Sequence, residues 1–101
     1  MNIDIKKEDI ENGVDLFVTG YIDSINSFKF QDALNDAISE GKKNIIVDMS
    51  KVEYICSIGL RILLKAYKDS TEAGCRLSVG HPSENVKKVL VITSSADLLI
   101  V

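Results

Sequence analysis

The chain has 101 residues, six glycines against one proline and 46% hydrophobic side chains. That composition fits one folded domain over residues 1–101, with a core that needs no disulfide or metal staple. Twelve basic against fifteen acidic residues give a net charge of −3, which argues for solubility and against a nucleic-acid or anionic-membrane surface.

The opening stretch MNIDIKKEDI lacks the basic start and apolar centre of a signal peptide. No apolar run approaches the roughly 20 residues of a membrane span. A cytoplasmic location is therefore expected, with Cys56 and Cys75 as free thiols. Their spacing makes no zinc or redox motif, and the single His81 cannot complete one, so no metal is expected.

In chain order, Ile3 and Ile5 alternate as a short strand, Glu11–Gly13 signal a turn, and Val14, Leu16 and Val18 alternate as a second strand. The short connection predicts an antiparallel hairpin. After Gly20 the period changes: Phe30, Ala33, Leu34, Ala37 and Ile38 make the apolar stripe of a helix, with Ser24 as its expected N-cap and Gly41 as its stop. Phe28 and Phe30 read as core. Ile45, Ile46 and Val47 run without alternation, which predicts a strand buried on both faces in a parallel or mixed sheet.

A second helix is expected from Ser57 to about Ala73, with Leu60, Leu63, Leu64 and Tyr67 turned inward and Gly74 ending it. CRLSVG reads as a fourth strand, and Ser83 caps a third helix carrying Val86, Val89 and Leu90. The final LLIV reads equally as a strand or as part of a closing helix. The fold class is thus α/β: a small mixed sheet, a hairpin strand plus parallel strands, flanked by about four helices.

In such folds ligands gather beyond the carboxyl ends of the strands. The loop from the buried strand to Ser57 is expected there, with Ser57 at or near the N-cap of the second helix, its oxygen accepting from the first turn. Gly59 would admit close approach of another group. A thiol near a helix N-terminus can also be a nucleophile, so Cys56 suggests an enzyme or redox sensor. However, the acids and lysines show no catalytic spacing, and no glycine-rich loop cradles a nucleotide, so neither a catalytic residue nor a cofactor is expected.

The segment VDMSKVEYICSIGLRILLKAYKD resembles the centre of the STAS family, the bacterial anti-sigma factor antagonists and their relatives, whose pattern is roughly V-x-[YF]-[IM]-D-S-[ST]-G-L-G-x-L. GYIDSINSFKFQDAL is similar to the family's lead into its first helix, and CRLSVGHPSENVKKVLVIT to its later strand and third helix. The resemblance spans nearly the whole chain. It implies that Ser57 is the phosphoacceptor of a partner serine kinase that is itself the anti-sigma factor. The unphosphorylated form would bind that kinase, phosphate would release it, and a phosphatase would restore it.

The resemblance also places Asp23 near the serine at the head of the first helix, either recognising the partner or positioning the hydroxyl, or else capping that helix with Ser24. The expected partner surface is Asp23, Ser24, Ile25, Asn26, Cys56, Ile58, Gly59, Leu60 and Arg61, beside Ser57, on a monomer or weak dimer, with no nucleic acid and no membrane involved. Cys56 stands where the family has aspartate, Ile58 where it has Ser or Thr, and Arg61 where it has glycine. The alternative is an unphosphorylated interaction or scaffold module, of the kind STAS relatives supply to stressosome-like assemblies, transporters and lipid-transfer systems.

Overall fold

Asn12 takes a left-handed φ of 60°, a region asparagine tolerates, and this closes a two-residue turn between Ile10 and Gly13. The turn joins strand β1 (Ile3–Ile10) to β2 (Gly13–Ile22) as the expected antiparallel hairpin. The computed structural model describes residues 2–100. Helix α1 (Ser27–Ser39), β3 (Asn44–Ile55), α2 (Ser57–Glu72), β4 (Arg76–Gly80), α3 (Glu84–Ile92) and α4 (Ala96–Leu99) follow. The sheet order is β1-β2-β3-β4, with β3 parallel to both β2 and β4. Gly41 and Gly74, both at positive φ, follow the helix ends as expected.

Register puts Val14 beside Ile45 and Leu16 beside Val47, and then Ile45 beside Leu77 and Val47 beside Val79. These six side chains are buried on one face of the sheet. Phe30, Leu34 and Ala37 of α1, Leu63 and Ala66 of α2, Val86 and Leu90 of α3, and Leu99 of α4 join them in one core cluster.

The expectation that Ile45–Val47 is covered on both faces is corrected. Ile46 is only half-buried, and neither it nor Phe17 belongs to the cluster. The apolar run came from two side chains in the core with one partly open to solvent between them. Phe28 is likewise corrected from core to surface, at 55% exposed. It precedes Phe30 by two residues, about 200° around the helix.

The third strand is longer than the apolar run suggested. Two register shifts against β2, between Phe17 and Thr19 and between Gly20 and Tyr21, each give β3 an extra residue. Bulges of this kind re-aim side chains. The inward phase moves from Met49 to Val52 and then Ile55, and Tyr54 is left outside. So no loop leads to Ser57; the strand itself runs to Ile55.

Beyond Asp48, where β4 stops pairing, the start of α3 satisfies the free edge of β3. The Ser83 N–H donates to Met49 O (3.1 Å) and the Ser83 hydroxyl to Val52 O (2.6 Å). Asn85 Nδ2 donates to Glu53 O at 2.7 Å. Ser83 also caps α3 as expected, accepting from Val86 N–H at 3.3 Å. The end of β3, which delivers Ser57, is therefore fastened on both sides.

On the outer edge Lys7 pairs with Glu40, tying β1 to the end of α1. The carboxylate raises the Lys7 pKa above its ordinary 10.5. Of the final LLIV, Val101 lies outside the described residues, and the other three take up both readings. Leu98 and Leu99 close α4, and Ile100 then bridges in parallel to Val79.

Candidate functional site

The parallel strands β2 and β3 end side by side, with Tyr21 opposite Tyr54 and Ile22 opposite Ile55. The Cys56 N–H then donates to Ile22 O at 2.9 Å, extending the pairing one step further. The β2–α1 loop and the start of α2 therefore leave the sheet as neighbours. This is the carboxyl end of the strands, where α/β folds present their sites.

Cys56, not Ser57, is the N-cap of α2. Its backbone is extended (φ −80°, ψ 172°), and its Sγ accepts from the Gly59 N–H at 3.3 Å. Ser57 is the first helical residue, exposed, and its hydroxyl makes no hydrogen bond among the described residues. The expectation that Ser57 caps the helix is thus corrected. The position just before it has the cap geometry, and a thiol occupies that position as a weak acceptor.

We expect Cys56→Asp to stabilise the chain by about 1 kcal/mol at pH 7, because a carboxylate caps better and meets the positive helix end. A thermal melt should rise by about 5 °C. The cap bonds depress the carboxyl's pKa in the folded state. The gain is therefore present above the unfolded value of about 3.9 and is lost as pH falls through the folded one. Equal melting of both proteins at pH 7 would contradict this.

Ser24 does not cap α1 either. The loop is organised by Asp23 and Asn26. Asp23 Oδ1 accepts from the N–H groups of Ile25 and Asn26, both at 2.9 Å. Asn26 Oδ1 accepts from the Asp23 N–H at 2.9 Å, and its Nδ2 donates to Tyr21 O at 2.8 Å. Asn26 is the N-cap by position without a side-chain cap bond, and it is buried. Asp23 therefore shapes its own loop, and no hydrogen bond joins it to the Ser57 hydroxyl among the described residues.

Gly59 is buried. A Cβ there would meet Ile22 Cγ2 at 2.7 Å and Ile55 Cγ1 at 3.0 Å. The close approach the glycine permits is that of its own sheet end, not of an outside group. Leu60 is half-buried against the core. From the expected surface, Gly59, Leu60 and Asn26 thus face inward. Ser24, Ser57, Ile58 and Arg61 are exposed, and Asp23 and Cys56 are half-buried.

Ile25, within the expected surface, is joined at this end of the sheet by two side chains that were missed, Phe28 and Tyr54. Ile25 is 84% exposed, Phe28 55% and Tyr54 49%, beside Ile58 at 41%. Phe28 lies off the inward stripe of α1, which was the available signal. Tyr54 was hidden by the register shifts. All four belong to the end of the sheet where β2 and β3 finish and α1 and α2 begin, an exposed apolar rim at the same end as the free Ser57 hydroxyl. Ser57 lines none of the main grooves, of which one runs between β1 and α1 over Ile3, Ile5, Leu16 and Ala33. Among the described residues no group of three His, Cys, Asp or Glu is placed to hold a metal. No described helix is long and apolar enough to cross a membrane.

The STAS domain family model matches residues 4–100. The anti-sigma-B factor antagonist of Listeria monocytogenes is 28% identical over 101 residues, covering 98% of this chain and 86% of that protein. An anti-sigma factor antagonist from Mycobacterium paratuberculosis superposes with a TM-score of 0.87 at 20% identity, over 97% of this chain and 83% of that one. The anti-sigma factor antagonist SpoIIAA, a Bacillus cell fate determinant, superposes in two forms. The unphosphorylated form has a TM-score of 0.81 at 18% identity, over 96% and 86% of the chains. The phosphorylated form has 0.76 at 17% identity, over 96% and 89%. The fold is thus the one these antagonists share.

Proposed function

The chain belongs to the STAS domain family, and from that premise we propose that it is an anti-sigma factor antagonist whose binding is switched at Ser57. The unphosphorylated surface docks on an anti-sigma factor that is also a serine kinase. Phosphorylation releases that partner, and a phosphatase resets the surface. The observation that carries this reading is the exposed, unbonded Ser57 hydroxyl at the end of the sheet where Ile25, Phe28, Tyr54 and Ile58 are also exposed.

In the transfer step the seryl oxygen bonds to the γ-phosphorus of the kinase-bound nucleoside triphosphate. The bond from that phosphorus to the bridging oxygen breaks, and the diphosphate leaves. The seryl proton passes to a base on the kinase, so this chain is the substrate and needs no catalytic group of its own. A neutral hydroxyl then becomes a group of about −1.5 to −2 charge with three strong acceptors. Desolvating that charge against an apolar contact costs several kcal/mol unless the partner offers a matched cation. Association with the kinase weakens, and the rim opens to solvent.

The test uses the purified chain, its cognate anti-sigma factor and nucleotide labelled at the γ-phosphate. The chain should take label, Ser57→Ala should take none, and Ser57→Asp should weaken binding by about tenfold. If Ser57 takes no label and Ser57→Asp binds as well as the parent, the surface is a constitutive docking module and the switch is wrong.

A further inference from the structure

Arg61 follows Ser57 by four residues in α2, and both are exposed. Positions i and i+4 are neighbours on one helix face, about 5–6 Å apart at Cβ. The Cα–Cβ bonds of a helix lean toward its N-terminus, so the Arg61 side chain is directed back over the turn that begins with Ser57. Arg61 has no ion pair or side-chain hydrogen bond among the described residues, in contrast to Lys65, which pairs with Asp69 at 2.7 Å.

Two carboxylates belong to the strand ends that lead to this region. Asp23 has one oxygen committed to the loop N–H groups, and Glu53 is exposed near the end of β3. Arg61 is therefore an uncommitted cation one helical turn from anything negative that appears at residue 57.

We infer that Arg61 is an intramolecular clamp for phosphate on Ser57, its planar guanidinium taking the phosphate oxygens in a charge-assisted fork. This deepens the switch proposed above and rests on Ser57 being the acceptor. The clamp gives phosphorylation two effects at once. It adds charge to the contact face, and it withdraws Arg61, folding the cation over the phosphate and away from any acidic group of a partner. A lysine at 61 would supply the charge without the bidentate geometry.

The test needs no kinase. Phosphoserine is installed at position 57 during translation by an expanded genetic code, and the second ionisation of its phosphate is followed by phosphorus NMR at low salt. The ordinary midpoint is about 6. Arg61→Gln should raise the measured midpoint by about 0.5 pH unit, an effect that shrinks in about 1 M salt. Arg61→Lys should keep part of the shift. Lys68→Gln, about 16 Å further along the same helix, should leave the midpoint where the parent has it. The clamp is wrong if Arg61→Gln titrates with the parent, or if Lys68→Gln moves the midpoint as far. Because the phosphate is installed chemically complete, that result is separate from whether a kinase labels Ser57.

Discussion

Gly59→Val should lower the stability of the chain by about 3 kcal/mol, the upper range for forcing extra carbon into a packed interior. A β-carbon at 59 would lie 2.7 Å from Ile22 Cγ2 and 3.0 Å from Ile55 Cγ1. Both isoleucines are branched at Cβ, buried at 0% and 6% exposed, and held at the paired ends of β2 and β3. Neither can swing clear as the tip of a long side chain would. Valine adds two further carbons to the same gap. Replacing glycine within a helix gains at most about 1 kcal/mol of propensity, so the clash decides the sign.

Chemical denaturation should show the loss directly, and the melting temperature should fall by roughly 15 °C. Gly59→Ala should fall between the two. The site should respond as well, because the only relief is to lift the start of α2, and with it Ser57, off the sheet. A Gly59→Val chain as stable as the parent would mean that α2 does not seat on Ile22 and Ile55 in this way.

That seating marks the boundary between what the residues disclose by pattern and what they do not. The stripes of α1, α2 and α3 and the hairpin were legible because burial repeats at fixed periods, 3.6 for a helix and 2 for a strand, whereas Ile45–Val47 was legible as a strand only by its apolar run, which hid the half-buried Ile46. Ser83 was legible as a cap because its hydroxyl precedes a clean stripe. What escaped was set by contacts distant in sequence. The register shifts that turn Tyr54 outward exist only because β2 and β3 pair with unequal residue counts. The preference for hydroxyls at N-caps pointed to Ser57, yet the strand continues to Ile55 and places the cap dihedrals on Cys56. Ser24 lost its expected place because the Asp23 carboxylate takes the loop N–H groups first.

The same division governs the candidate site. Ser57, Ile58 and Arg61 were readable from the motif and Ile25 from the loop before α1, but Phe28 and Tyr54 were not, since exposure off a stripe says nothing of what lies beside it. Among the described residues the exposed large apolar side chains divide by element: Ile25, Phe28, Tyr54 and Ile58 where β2 and β3 give way to α1 and α2, and Val91, Ile92 and Leu98 on α3 and α4. The first set shares its end of the sheet with Ser57, the hydroxyl whose charge changes in the proposed switch.

The second large effect follows from that division. Phe28→Ala and Ile25→Asp should each weaken binding of the cognate anti-sigma factor by about 2–3 kcal/mol, roughly 30- to 150-fold, as for an anchor at the centre of an interface. Neither change should move the stability of the free chain by more than about 0.5 kcal/mol, because both side chains already stand largely in water. Phe30, two residues from Phe28 and fully buried, gives the contrast: Phe30→Ala should cost about 3–5 kcal/mol of folding and affect binding only through unfolding. Ile92→Asp, at a position 80% exposed on α3, should leave the affinity unchanged. Calorimetric titration with the partner, beside a denaturation curve for each variant, separates the cases. If Ile92→Asp weakens binding while Phe28→Ala does not, the contact lies on α3, and the surface around Ser57 loses its claim to be the docking face.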